Sequence, residues 1–262
     1  GLNFHVERVS LAQVSRRGME DRARTARYNA LWQQVPENGV LLTAHHQRDQ
    51  AETLLMRLLR GAGVRGLGAM SALQYRDDGR CLYRPLLSVP YEAMLAYAQG
   101  HQLTWVEDPS NQQAIALRNQ VRHEILPLLS QLQPAIEQKL AQTAQHCQEA
   151  NQLLTEMAHE DWQKLAQSAQ SWSLSAWQAL SWPRARQALA YALSLRNETP
   201  SIAQWRQIQQ QIYQHRNNQR HPQLHLAQHV LLLADDSAYC LPSDWLSLPS
   251  RVKMVLTRDD QQ

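Results

Sequence analysis

Four side chains at short spacing, His45, His46, Asp49 and Glu52, form the first group in this 262-residue chain whose types could do chemistry together. Asp49 and Glu52 stand three apart, so on a helix both carboxylates share one face. Such a pair can hold a magnesium ion beside phosphates, or orient a substrate amine. It can also simply cap the helix, since acids in the first turn favour the positive end of the macrodipole. Spacing alone weighs toward capping. Histidine and aspartate at this spacing, with no further clustered ligand, make a poor zinc site. The metal ligands stay unassigned, with Asp49 a possible one.

Arginines supply the second group. Arg118 and Arg122 are four apart, so two guanidiniums on one helical face could clamp a phosphate or could form a solvated face. Glu20 and Arg24 are also four apart, which suits a surface salt bridge, with Arg27 one turn on. A third pattern, Gly61-x-Gly63-x-x-Gly66, matches a dinucleotide fingerprint in letters only. That fingerprint needs a strand before it, a helix opening after it, and an acid about 20 residues on. Here a leucine-striped helix precedes it, and Asp77 and Asp78 come too early. It reads as a glycine-rich connector.

The elements around these residues suggest how they are positioned. Phe4–Leu11 alternates and suits a strand, and Met19–Trp32 carries apolar residues at helical spacing. After a turn at Pro36–Gly39, Val40–Ala44 reads as a buried strand. His45 to Glu52 therefore lie at its carboxyl end, where open α/β sheets place their ligands. The leucines at 54, 55, 58 and 59 stripe a helix from Asp49 to Arg60, which Gly61 ends. Strand-like Cys81–Pro85, a helix over about 90–100, strand-like Leu103–Val106, a turn at Asp108–Asn111 and a helix from about Ile115 toward Pro127 follow. Strands alternating with helices indicate an α/β layer on a mostly parallel sheet.

Beyond about residue 130, Gln- and Ala-rich stretches carry Leu, Ile and Trp at spacings of three and four. Ile202, Trp205, Ile208 and Ile212 form one stripe, opened by Pro200-Ser201. This half reads as helical, with most of the tryptophans in its core. It closes on strand-like Leu224–Ala227, Val230–Ala234 and Tyr239–Leu241.

Composition agrees with a globular protein: 44% of residues are hydrophobic. No apolar run nears the roughly 18 residues of a membrane span, and no secretory leader is recognisable. Cys81, Cys147 and Cys240 lie far apart without a CxxC pair, which suits reduced thiols in the cytoplasm. The net charge of +3 is unevenly placed. Residues 1–130 hold 15 Arg, no Lys and 12 acids, for +3; residues 131–262 hold 8 Arg, 3 Lys and 11 acids, for zero. Arginine forks match phosphates and stack on bases, so the first half is a candidate nucleotide or nucleic-acid surface. An arginine-biased composition would look the same.

Four stretches, RGMEDRARTARYNAL (17–31), TAHHQRDQAETLLMRLLRGAG (43–63), YRPLL (83–87) and EDPSN…LRNQVRHEILPLL (107–129), together resemble the tRNA(Ile)-lysidine synthase family of PP-loop ATP pyrophosphatases. The resemblance is dense over residues 4–130. It is looser beyond, where LSWPRARQALAYAL (180–193) is the best piece. It implies part of a PP-loop, adenine nucleotide α-hydrolase-like, parallel-sheet domain over 1–130. A mainly helical tRNA-recognition domain over 131–250, with a short terminal β-hairpin, would follow.

The activity implied is ATP-dependent joining of free lysine to C2 of the wobble cytidine in a tRNA(Ile) with a CAU anticodon. Asp49, Glu52 and Arg24 would be catalytic, Arg27, Arg118, Asn119 and Arg122 would hold tRNA or phosphate, and His46 would touch ATP. ATP and Mg2+ are the implied cofactors. The resemblance allows a homodimer without fixing the oligomeric state.

The sequence departs from the family in two respects. Arg48-Asp49 stands where the family has two adjacent acids. The SGGxDS loop that binds ATP phosphates is not found, nor is the small C-terminal domain of longer members. The chain is thus expected to be a fragment, inactive alone in releasing pyrophosphate from ATP. A non-catalytic tRNA-binding relative is the alternative from another class. A cytidine-thiolating relative is disfavoured by the lack of a CxxC pair.

Overall fold

The computed structural model describes residues 3–9, 16–106, 117–214 and 222–247, the side chains of 16–21 and 246–247 excepted. The chain divides into two compact units, Gly1–Asn151 and Gln152–Gln262. The expected turn at Asp108–Asn111 and the start of the helix at Ile115 lie outside the described residues, as does the side chain of Glu20.

In the first unit, α1 spans Arg16–Gln34 and leads through the Pro36–Gly39 turn to β1, Val40–Leu42. The turn closes through the Gly39 N–H on the Pro36 carbonyl at 2.9 Å. Helix α2 covers Gln47–Leu59. It ends because Gly61 takes φ +72°, a left-handed conformation that side chains resist, so that the Gly61 and Ala62 N–H groups turn back onto the carbonyls of Leu58 and Arg57. A short α3 (Val64–Leu67), then β2 (Leu73–Tyr75), β3 (Cys81–Tyr83) and α4 (Tyr91–Gly100) follow. The sheet order is β1-β3-β2, with β1 parallel and β2 antiparallel to β3.

Past the undescribed stretch, α5 (Leu117–Gln120) runs through a π-helical turn (Val121–Ile125) into α6 (Leu126–Leu132). This is the helix expected toward Pro127. Ala51 and Leu55 of α2 pack against Val121 and Leu126 in a small apolar core, with Met56, Leu117, Ile125, Leu129 and Leu140 around it. That seam fixes α2 against the α5–α6 segment.

Three strand expectations are corrected. Residues 4–9 and 103–106 form no strand, and their apolar side chains face solvent, with Phe4 90% and Val106 95% exposed. Alternation makes a strand only where a neighbour supplies a ladder and a face to cover. Strand β1 forms, but among the described residues it lies at the edge of its sheet, with Val40 and Leu42 exposed, not buried.

The second unit has an antiparallel sheet ordered β4-β7-β6-β5, made of Ser171–Ser173, Ser237–Pro242, His229–Ala234 and Gln223–His225. It is wider than the expected terminal hairpin, because β4 reaches it from far earlier in the chain. Its helices are the end of α7 (Ile136–Leu165), α8 (Leu174–Ala179), α9 (Trp182–Ser194) and α10 (Ile202–Gln207), the last continuing as a π-helical stretch over Ile208–Tyr213. Trp172, Trp177, Leu189, Leu193, Ile208, Ile212 and Leu231 form the core. Ser201 opens α10 through a capping box with Gln204. Ile202, the first residue of its stripe, is exposed one turn before the core begins.

Candidate active site

Helix α2 begins right after the loop that leaves β1, so its first turn lies at the carboxyl end of the parallel β1–β3 pair. Asp49 does cap this turn: its Oδ2 accepts the His46 backbone N–H at 3.0 Å. Glu52 does something else. Its side chain is fully buried and meets two guanidiniums from the facing helix. Arg118 Nε donates to Oε2 at 2.7 Å, and Arg122 Nε and Nη2 donate to Oε1 and Oε2 at 2.6 and 3.0 Å. Arg118 Nη2 also donates to Asp49 Oδ1 at 2.7 Å, so one guanidinium bridges both acids.

The two spacings mesh. A carboxylate pair three apart faces an arginine pair four apart, and the α2–α6 apolar seam sets the distance between them. Arg118 lies in α5 and Arg122 in the π-turn, a local widening often found at functional positions. Hydrogen bonding to Glu52, ahead of the opposing effect of burial, raises the Arg122 guanidinium above its ordinary value.

Among the expected site residues, His46, Asp49, Glu52, Arg118 and Arg122 converge. His46 Nε2 lies 3.3 Å from Asp49 Oδ2, and the ring lies 5.3 Å from that of Tyr91. Burial lowers its pKa, against the pull of Asp49 and Glu52. Its buried Nδ1 has no partner. Arg24 and Arg27 stand apart from the carboxylates, on the wall of an adjoining cavity of about 500 Å3 that Arg118 also lines. Asn119 is half-buried on α5.

Both forks that could have clamped phosphate are already engaged by acids. The acids, conversely, are engaged: every oxygen of Asp49 and Glu52 accepts from a guanidinium or a backbone N–H. No group of three metal-ligating side chains occurs among the described residues. This arrangement does not fit a resident divalent ion.

Sequence reading missed several neighbours. Arg48 bonds Glu92 at 2.5 Å and Glu137 at 2.7 Å and lies over the Tyr91 ring, tying α2 to α4 and α7. Gln50, buried, exchanges two hydrogen bonds with the Met70 backbone. Arg57 Nη1 holds the carbonyls of Gly66 and Ala69, each at 2.8 Å. The glycine-rich segment is therefore a connector strapped to α2, and a Cβ on Gly66 would stand 2.6 Å from that of Ala62. Nothing in local spacing announces partners 9 to 89 residues away.

His45, bonded through Nδ1 to Thr43 Oγ1 at 2.9 Å, carries a pH prediction. Burial holds its pKa down at about 4; Asp49 opposes this, and Arg84, Arg118 and Arg24 reinforce it. An unfolded chain protonates its histidine first, near 6.5, so stability is full above that pH and is lost as pH falls toward 4. The ring keeps partial solvent access, so the loss is discounted to about 1–2 kcal/mol. Urea unfolding at pH 7 and pH 4.5 checks it. The wild-type chain should lose about that much more than His45→Gln, and equal losses would refute the assignment.

Residues 1–129 match the PP-loop domain, an ATP-binding family. Those residues make up just under half of the chain, and the chain as a whole is similar to tRNA(Ile)-lysidine synthases. Curated proteins of that name resemble it closely: one from Hydrogenovibrio crunogenus is 37% identical over 261 residues, covering 93% of this chain and 61% of the relative. Those of Pseudomonas putida and Pseudomonas aeruginosa are 43% and 50% identical over 212 and 161 residues, covering 78% and 62% of this chain. The chain spans only 49% and 36% of those two relatives. No helix among the described residues is long and apolar enough to cross a membrane.

Proposed function

We propose that the chain serves lysidine synthesis: ATP-dependent ligation of lysine to C2 of the wobble cytidine in a tRNA(Ile) with a CAU anticodon. The observation that carries this reading is the Asp49–Glu52 pair, gripped by Arg118 and Arg122 at the end of a parallel strand pair in a PP-loop domain. In the first step the C2 oxygen attacks the α-phosphorus of ATP and pyrophosphate leaves. In the second the lysine amine attacks C2, and AMP leaves with that oxygen. The wobble base is splayed from its loop to expose C2. Magnesium arrives with the ATP phosphates as part of the substrate.

The burial and bonding of the two acids support a division of work between them. Glu52, fully buried and held on both oxygens, is a positioning residue that aims the two guanidiniums. Asp49, the less buried of the two acids, would receive the lysine ammonium and take its proton once Arg118 swings off Oδ1 toward phosphate. With substrate bound, Arg24 and a released Arg118 would steady phosphate, Arg27, Asn119 and Arg122 would hold tRNA, and His46 would touch the nucleotide. The helical unit grips the tRNA, and the setting is the cytoplasm.

The test incubates the protein, as its gene encodes it, with ATP, lysine and a tRNA(Ile) transcript bearing CAU. Digested nucleosides are then weighed by mass spectrometry. Lysidine that requires all three substrates is the expected result. Tight tRNA binding without lysidine would establish the non-catalytic binder instead.

A further inference from the structure

The first turn of α2 is held from two sides. On one side Arg118 bridges Asp49 and Glu52. On the other, the turn is fastened to the segment that opens α4 and to the start of α7. The Gln47 backbone N–H donates to the Val89 carbonyl at 3.0 Å, and the Gln47 side-chain amide donates to the Ser88 carbonyl at 3.4 Å. Arg48 Nε donates to Glu137 Oε1 at 2.7 Å, and Nη2 donates to Glu92 Oε1 at 2.5 Å. The guanidinium carbon stands 4.3 Å from the centre of the Tyr91 ring, and the same ring packs on His46. Glu137 lies in the first turn of α7 and belongs to the first unit.

These ties differ in weight. Glu92 keeps 70% of its side chain in solvent, so its bond to Arg48 is screened and weak. Glu137 keeps 17% and Arg48 25%, so that pair is partly desolvated and stronger. The Tyr91 ring adds a cation–π contact that fixes where the guanidinium lies.

The reaction would disturb one side only. For Asp49 to receive an ammonium, Arg118 must leave its Oδ1. At that moment the Asp49 carboxylate loses its guanidinium, and the turn that carries it is held from the Arg48 side. Side chains at adjacent positions point different ways round a helix, so Arg48 can grip α4 and α7 without competing for Asp49.

We propose that Arg48 is a positioning residue: anchored on Tyr91, Glu92 and Glu137, it keeps the Asp49 carboxylate in place while lysine replaces Arg118 there. Arg48 stands where the resembling family carries an acid, so the resemblance supplies no role for it. The proposal rests on the lysidine reading for the step it serves. Its effect is confined to the lysine-dependent step, because the Gln47–Val89 bond holds the chain before Arg48 independently.

The test compares the protein, as its gene encodes it, with Arg48→Gln, Arg48→Lys, Glu137→Gln and the Arg48→Gln/Glu137→Gln double variant. Lysidine formation is followed against lysine concentration. Pyrophosphate release from ATP and tRNA without lysine reports the first step, and hydrogen exchange of the amides of residues 50–53 reports the turn. In Arg48→Gln, kcat/KM for lysine should fall about tenfold, short of the roughly 100-fold that a misplacement of about 1 Å can cost. Pyrophosphate release without lysine should stay within about threefold, since Asp49 acts only in the second step. Exchange at 50–53 should quicken about tenfold as the turn opens more often. Arg48→Lys, which keeps the charge but loses the fork, should lie between. Glu137→Gln should reproduce Arg48→Gln, and the double variant should be no worse than either, because the two residues act as one pair.

An unchanged lysine response in Arg48→Gln overturns the proposal. A fall shared equally by both steps overturns it too, since that is what a merely structural contact would give. Wild-type protein that forms no lysidine removes the lysidine reading and the role with it, whereas an active wild type with unaffected variants removes the role alone.

Discussion

Glu52→Gln should cost the first unit about 3 kcal/mol of stability. Glu52 is completely buried and its two oxygens receive three guanidinium bonds, from Arg118 and Arg122. Removing one partner of a buried pair typically costs about 3–5 kcal/mol, because the other charge stays behind unpaired. The low end applies here, since Arg118 and Arg122 keep about a quarter of their side chains in solvent and Arg118 retains Asp49. Glutamine keeps one acceptor but turns an amide N–H2 toward a guanidinium, so it repels where the carboxylate attracted. Adding Arg122→Met should restore part of the loss, because the stranded cation is then gone. The measurement is urea unfolding combined with hydrogen exchange of the α2 amides. A loss below about 1 kcal/mol, or no recovery in the double variant, would show that Glu52 is not the keystone of this contact.

Asp49→Asn should leave tRNA affinity within about threefold while lowering lysidine formation at least about 100-fold, the scale of a lost general base. Asparagine has the same shape, and its oxygen can still accept the His46 N–H, so the helix start survives. What disappears is the charge that would receive the lysine ammonium. The two measurements separate the readings that spacing left open. If Asp49 is only a cap, the variant turns over normally and loses about 1 kcal/mol of stability at most. If it is the proton acceptor, turnover falls while the protein stays folded. A rate fall matched by an equal loss of tRNA affinity would point to binding instead, and would remove Asp49 from the chemistry.

Much of this was legible along the chain. The leucines of α2 and its glycine stop follow from rules that act within a few residues, and the structure has both. Helical periodicity likewise placed Asp49 with Glu52 and Arg118 with Arg122 on common faces. The misread strands at 4–9 and 103–106, and the exposure of Val40 and Leu42, have a different origin. A strand is completed by its neighbours, and alternation does not say whether one is there.

What spacing by itself determined, then, is the inventory: two acids on one helical face, two arginines on another, and a surplus of arginine in the first half of the chain. The tertiary structure alone decided that the two faces meet across nearly 70 residues of sequence. It also decided that Glu52 is the buried acid of the pair, and that Arg57 and Arg60 border the same cavity as Arg24. The physical reason is range. Periodicity is set by the backbone's own turn. Which faces touch is set by burying Ala51 and Leu55 on Val121 and Leu126, and that packing carries the charges with it.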